Sequence, residues 1–498
     1  MFSLIIILCS LRAAAAQDSP APAPSTQSAP AASQPGGPPR EPEAEDSPAP
    51  ATLRGPLILD LRYDEDYSYL DGPPDSYRKD LFDPIKNIHL DDNWRLTLGG
   101  EIKGRLESET NTRFGAREPA SDTFFLHREL LHADLRYRKL FRVFVQGVNA
   151  MKEDRDLPQV TGMENRFDVY QLFADLRVLG EETPLTLRIG RQELALGRQR
   201  LVSTLEWSND RRKFDGVDLL WRDERLNLDF FYLRPVPVNL AEGLQRKPDE
   251  YREEAHFYGA YATYKGLPRH EIDFYAMGLN DTGRSLNANG RTGDLTIMTL
   301  GCRLGGRTGA FDYDTELAGQ WGTFASDVVQ AWMWAADGGY TVAALPWTPR
   351  IGAGFDYAGG DRNPRDGAHQ TFNPLFPFGH NYLGFLDLVG RSNILASNVN
   401  LTLKPHKDVT ARLAYHTFWL DSETDALYNA GGLAIRRNAR GFFGREVGDE
   451  LDLTIAWQID VHSSVLFGYS HFWCDNFIRD TGPDRDADLI YIQYALKF

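Results

Sequence analysis

From Trp94 to the last residue, apolar and polar side chains alternate with a period of two rather than 3.6, the signature of β-strands. In "RLTLGGEIKGRL", Leu96, Leu98, Gly100, Ile102, Gly104 and Leu106 fall on one face, with Thr97, Glu101, Lys103 and Arg105 on the other. "AFDYDTELAGQWG", "DELDLTIAW" and "DVTARLAYHTFW" repeat the pattern; the last sets Val409, Leu413 and Tyr415 opposite Thr410, Arg412 and His416. The chain ends inside such a segment, "DADLIYIQYALKF". Ile490, Ile492, Tyr494, Leu496 and Phe498 share one face, and Tyr491, Gln493, Ala495 and Lys497 the other. Counting these segments predicts about 18 strands, by period-two counting. Their approximate spans are 93–107, 123–137, 140–151, 166–178, 184–191, 213–222, 226–234, 256–265, 269–281, 292–306, 310–323, 328–344, 349–360, 391–405, 408–420, 447–459, 462–474 and 486–498.

Alternating strands fit a soluble sandwich with its apolar face inward or a membrane barrel with its apolar face outward. Three features select an all-β, transmembrane antiparallel barrel. Many strands exceed the roughly 9–11 residues that cross a bilayer at a tilt. The second face is charged, which suits a water-filled lumen. Connections are short after even strands and mostly long after odd ones, as in outer-membrane barrels. A sheet in lipid must also close on itself, so the last strand is expected to pair with the first. Aromatics at strand ends, such as Trp94, Tyr137, Trp221, Trp457 and Trp473, suit interfacial girdles.

Composition narrows this further. Aromatics reach 12% and glycines number 44, in keeping with an all-β chain. Basic residues number 54 against 70 acidic ones, which argues against nucleic acid as a partner. Residues 1–16, with an apolar run from Phe2 to Leu11 and Ala14–Ala16 after it, read as a secretion signal. Residues 17–54 hold 10 prolines in 38 positions and read as a disordered linker. Residues 55–92 form a periplasmic segment before the barrel, which occupies 93–498. The remaining cysteines, Cys302 and Cys474, are expected to be unpaired. Asp361–Gly367 and Asp484, Asp486 and Asp488 have carboxylate spacings that could hold calcium, but the solvated-loop reading is preferred, and no metal or cofactor is expected. Ser470 and His471 point to opposite faces of a strand, so no catalytic pair is expected.

Several stretches carry a resemblance: "LRYDEDYSYL", "FDPIKNIHL", "LGGEIKGRLE", "LLHADLRY" with "LFRVFVQ", "GFDYAGGDRNPRDG" and "TFNPLFPFGHNYLGFLDLVGRSNI". Above all, "RIGRQELALGRQRLVSTLEWSNDRRKFDGV" (188–217) resembles the most recognisable segment of the alginate-export family of bacterial outer-membrane proteins. The resemblance spans roughly 60–498 and implies an 18-stranded barrel passing an anionic polyuronate outward. It also implies that Arg188, Arg191 and Gln192 line the pore, and that Phe498 is a signal for the barrel-assembly machinery.

An anionic polysaccharide needs fixed cations, and the arginine fork binds carboxylates bidentately. Period two puts Arg105, Arg136, Arg142, Arg177 and Arg188 on the lumen face, beside Glu101, Asp134 and Asp175. Arg191, Arg198, Arg200, Arg211, Arg212, Arg222 and Arg225 follow, partly in a long loop. The candidate lining is therefore Arg105, Arg136, Arg142, Arg177, Arg188, Arg191, Gln192, Arg198, Arg211, Arg212, Glu101 and Asp175. The plainer reading is a ladder of Arg–carboxylate pairs that stabilises any lumen wall. Export of an alginate-like polymer, with periplasmic export components as partners and outer-membrane lipid around the barrel, is the expected function. Uptake of small anions or oligosaccharides, and a non-transporting surface barrel, are the alternatives.

Overall fold

The structure is a computed structural model, which describes residues 55–157, 162–239, 247–286, 292–438 and 444–498. It is dominated by one sheet of 20 strands, two of which, 88–89 and 368–369, have only two residues. Removing those two from the 20 leaves 18. In chain order these are β1 Trp94–Thr110, β2 Ser121–Tyr137, β3 Phe141–Glu153, β4 Asn165–Arg177, β5 Leu185–Gln192 and β6 Phe214–Arg222. Next come β7 Leu226–Pro235, β8 Ala255–Leu267, β9 His270–Leu286, β10 Thr292–Thr308, β11 Phe311–Phe324 and β12 Asp327–Thr341. The last six are β13 Arg350–Ala358, β14 Ile394–His406, β15 Val409–Leu420, β16 Glu446–Gln458, β17 Ser463–Cys474 and β18 Ala487–Lys497. Each pairs antiparallel with its sequence neighbours, and β1 pairs with β18 from Glu101–Lys497 to Thr110–Asp488, closing the barrel. All 18 expected strands are present, and no boundary is off by more than a few residues.

Burial is inverted relative to a soluble protein. On β1, Leu98, Ile102 and Leu106 are 36%, 45% and 46% exposed, while Glu101, Lys103 and Arg105 are 3%, 4% and 4% exposed. Charged residues are almost never buried unless paired, and an apolar belt facing outward is stable only against lipid. The two faces of β18 divide as the sequence predicts: Ile490, Ile492 and Tyr494 are exposed, and Tyr491 and Ala495 are buried. Cys302 and Cys474 are both free thiols.

Phe498 finishes the seam. Its N–H donates to the Gly100 carbonyl at 2.9 Å, and the Gly100 N–H returns to the Phe498 carbonyl at 2.8 Å. Its ring stacks on Phe82, with centroids 5.1 Å apart. Deleting Phe498 removes a rung of the closing ladder and this stack. The expected result is a smaller fraction of heat-modifiable barrel in the membrane, with unchanged conductance in the barrels that do assemble. Full assembly of the truncated chain would show that the seam does not need its last residue.

Two features depart from the expectation of an open pipe. The β5–β6 connection (193–213) and the β13–β14 connection (359–393) fold into the barrel and share an apolar core with its wall. Leu194, Leu201 and Val202 from the first, and Phe372, Leu383 and Val389 from the second, pack with Phe257, Met277, Ile297 and Met333 of the inner face. The two connections hold each other as well: the Ser203 N–H donates to the Phe376 carbonyl at 3.0 Å, and the Phe376 N–H to that of Leu201 at 2.8 Å. The second departure concerns residues 55–92. They precede the barrel in sequence, but 59–67 run along its inner face, with Tyr63 buried against Phe144 and Phe173.

Candidate functional site

The inner wall of β1–β5 carries the charged row that the alternation predicts, and three buried networks organise it. The first joins wall to loop. Arg128 on β2 is 0% exposed. It donates to Glu101 from Nε at 2.9 Å and from Nη2 at 2.6 Å, to Glu206 at 2.8 Å, and to the Ser208 carbonyl at 2.9 Å. Glu206 also pairs with Arg211, which reaches Glu193 at 2.6 Å, and with Lys103 at 3.4 Å. Arg105 pairs with Glu107, donates to the Trp207 carbonyl at 2.9 Å, and lies 3.7 Å over the Trp207 ring. Trp207 is sandwiched in turn, with the His380 ring 4.0 Å away on its other side.

The second network lies beside Tyr63. Asp134 accepts from Arg136 at 2.8 Å and from Arg142 at 2.8 Å, and Asp175 accepts from Arg188 at 2.7 and 2.9 Å. The third anchors the loops to the opposite wall. Arg200 pairs with Asp314 and Asp337, and with Glu316 at 3.4 Å. Arg303 bridges Asp273 at 2.7 Å and Asp314 at 2.6 Å, and Arg391 holds Asp356 at 2.6 Å.

Of the residues expected to line the pore, Arg105, Arg136, Arg142, Arg188, Glu101 and Asp175 are on the inner face, and Gln192 is buried beside them. Arg211, in the inserted loop, pairs with Glu193 and Glu206 of that same loop. Arg198, in the inserted loop, is 4.0 Å from Asp314. Arg212 meets no carboxylate; it donates to the carbonyls of Ser203 at 3.1 Å and Pro377 at 3.4 Å. Arg177 sits at the short turn after β4, donating to the Thr183 carbonyl. Arg191 is the correction. It lies opposite Leu172, which is 48% exposed, so it is on the outer face, paired with Asp215 at 2.8 and 2.9 Å. An odd separation along a strand puts Arg188 and Arg191 on opposite sides.

Sequence reading singled out neither Arg128, Arg303 nor Arg391 as a lumen group. Arg128 shares the parity of Asp134 and Arg136 on β2, so period two could have found it. Arg412, on the inner face of β15 across from Thr402, makes no hydrogen bond or ion pair among the described residues. In the Asp361–Gly367 stretch, Arg362, Asn363, Arg365, Asp366 and Gly367 are exposed, whereas Asp361 at its start is buried, and burial, with Asp425, Asp366 and Asp327 adding to it, pushes its carboxyl up to about 6. Among the described residues no group of three or more His, Cys, Asp or Glu side chains is placed to hold a metal.

A closed, 18-stranded, outward-apolar barrel with a charged inner wall is a membrane channel scaffold. The family model for alginate export matches residues 94–491, four-fifths of the chain. The chain belongs to the alginate export family. No curated protein matches it. Among solved structures, the chain is similar to OccK5 (OpdH) of Pseudomonas aeruginosa, with 12% identity and a TM-score of 0.53, over 80% of this chain and 98% of that one. It is similar to P. aeruginosa OpdK, solved with vanillate, with 12% identity and a TM-score of 0.53, over 80% and 99%. Acinetobacter baumannii OccAB2 gives 12% identity and a TM-score of 0.52, over 80% and 98%. At this identity the likeness is one of fold. Family and fold together place the chain in the bacterial outer membrane.

Proposed function

We propose that the barrel is the outer-membrane exit channel for an anionic, alginate-like polysaccharide. The observation that carries this reading, beyond membership of the family, is the density of guanidinium groups on the inner wall from β1 to β5. Guanidinium forks suit a carboxylate on each sugar, because they stay charged and bind it bidentately. Most of these arginines already hold wall carboxylates, so the wall offers weak, repeated, exchangeable contacts. Such contacts let a long polymer slide where a strongly cationic wall would trap it. Arg412 and Arg212, which touch no carboxylate among the described residues, are cations available for direct contact. A passive barrel supplies no energy, so periplasmic components must deliver the chain.

A second reading, uptake of small organic anions, draws support from the OpdK structure with vanillate and from the filled lumen, which suits a small carboxylate. Planar-bilayer recording separates the two. For export, the channel is expected to prefer chloride over potassium and to be blocked by polyuronate, but not by an aromatic monocarboxylate at the same carboxylate concentration. Arg412→Glu is expected to weaken the block severalfold. Cation preference with no polyuronate block would overturn export. Block and permeation by the monocarboxylate alone would favour uptake.

A further inference from the structure

Residues 59–67, "LDLRYDEDY", carry four carboxylates and one arginine, and they lie on the arginine row. Five cations from five places in the fold converge on them. Arg142 of β3 donates to the Tyr63 carbonyl at 2.6 Å, and Arg136 of β2 to the Glu65 carbonyl at 3.3 Å. Lys497 of β18 donates to the Asp60 carboxylate at 3.1 Å, and Arg211 of the inserted loop to the Asp60 carbonyl at 3.5 Å. The Arg188 guanidinium of β5 faces the Tyr63 ring at 4.4 Å. The ring itself packs edge-to-face against the stacked pair Phe144 and Phe173, with centroids at 5.9 and 5.3 Å.

The segment is not woven into the barrel. None of its residues belongs to a strand, and its backbone-to-backbone hydrogen bonds are local, from Asp64 N–H to Leu61 and from Glu65 N–H to Arg62. It is held by side chains, chiefly by Arg62, which donates to the Gly100 and Phe498 carbonyls at 2.7 Å each and to Glu65 at 2.6 Å. Asp64 stays exposed within the lumen. Contacts of this kind can be exchanged one for one, whereas a strand leaves only by losing its whole ladder.

A chain that turns once, at Arg62–Asp64, and presents carboxylates and carbonyl oxygens to a row of guanidiniums, with a flat ring packed on a pair of phenylalanines, offers the groups that a stretch of polyuronate would present. Its carboxylates would replace Asp60 and the carbonyls, and a pyranose face would replace Tyr63. We propose that residues 59–67 are a built-in occupant of an anionic-chain site formed by Arg136, Arg142, Arg188 and Lys497. The segment closes this part of the lumen at rest and is displaced by the polymer. The ligand's identity rests on the export reading above; the displaceability of the segment does not.

Two measurements test it, thiol labelling and single-channel conductance. With Cys302→Ser removing the exposed thiol, Leu59→Cys, at a buried position of the segment that leaves the Tyr63 ring in place, is labelled by a charged thiol reagent in proteoliposomes. Labelling is expected to speed up severalfold when polyuronate is added; block of the channel without faster labelling overturns exchange. Deleting residues 59–67 is expected to raise single-channel conductance severalfold and to strengthen polyuronate block. If the deleted chain fails to assemble, Tyr63→Ala, which keeps Arg62 and the seam, is recorded instead. No polyuronate block in any of these channels would defeat the export reading rather than this one, and conductance then decides: an unchanged value in the deleted or Tyr63→Ala channel overturns the proposal.

Discussion

Arg128→Met is expected to destabilise the barrel by about 3 kcal/mol, the lower end of what breaking a buried ion pair costs. The side chain is 0% exposed and holds two carboxylates from different parts of the fold, Glu101 of β1 and Glu206 of the inserted loop. Removing it leaves both in a site with little water, where an uncompensated charge is costly. The lower end applies because each acid keeps a second cation: Lys497 lies 3.8 Å from Glu101, and Glu206 keeps Arg211 and Lys103. Arg136→Met is the matched comparison. Its side chain is 37% exposed, and its partner Asp134 keeps Arg142, so a loss below about 1 kcal/mol is expected. Reversible urea unfolding in lipid or detergent compares the two. Equal losses would mean that the lumen is wet enough around Arg128 to screen the pair.

The strands were legible because lipid demands the simplest pattern a sheet can have. Most outward positions are apolar whatever their neighbours do, and each short turn marks a reversal. The same rule, applied strictly, places Arg128 inside and Arg191 outside. The second placement conflicts with the pore-lining role that the family resemblance suggested for Arg191, and there the strand geometry prevails. What the alternation could not show is the filling of the lumen. "LNLDFFYLRP" on β7 held a hint, since Phe231 and Leu233 are apolar on the face that should be wet. Their partners come from loops with no period, such as Leu201, Val202 and Phe372. Which loop folds inward depends on contacts between segments far apart in sequence, to which a periodicity is blind. The place of residues 59–67 was hidden for the same reason: Tyr63 is buried by Phe144 and Phe173, about 80 to 110 residues further along.

Arg200→Ala is expected to open the channel and turn its selectivity toward cations. Arg200 ties the inserted loop to the wall opposite Arg128, gripping Asp314 of β11 and Asp337 of β12, with Glu316 at 3.4 Å. Its loss has two consequences that a bilayer recording reads separately. The loop keeps its attachment to β1 and β2 through Lys103, Arg105 and Arg128 but loses its grip on the far side, so conductance should rise severalfold. The acids it held keep fewer partners: Asp314 retains Arg303 at 2.6 Å, and Glu316 accepts from the Tyr275 hydroxyl at 2.8 Å. Asp337 has no second ion pair among the described residues. Unpaired carboxylates facing a widened lumen attract potassium, so the reversal potential should move in the cation direction, most strongly at low salt where screening is weak. Arg200→Lys keeps the charge but loses the fork that reaches several acids at once, so it should restore selectivity more fully than it restores the narrow conductance. A channel indifferent to both substitutions would mean that the loop is fixed by its apolar core alone, through Leu201, Val202 and Phe372.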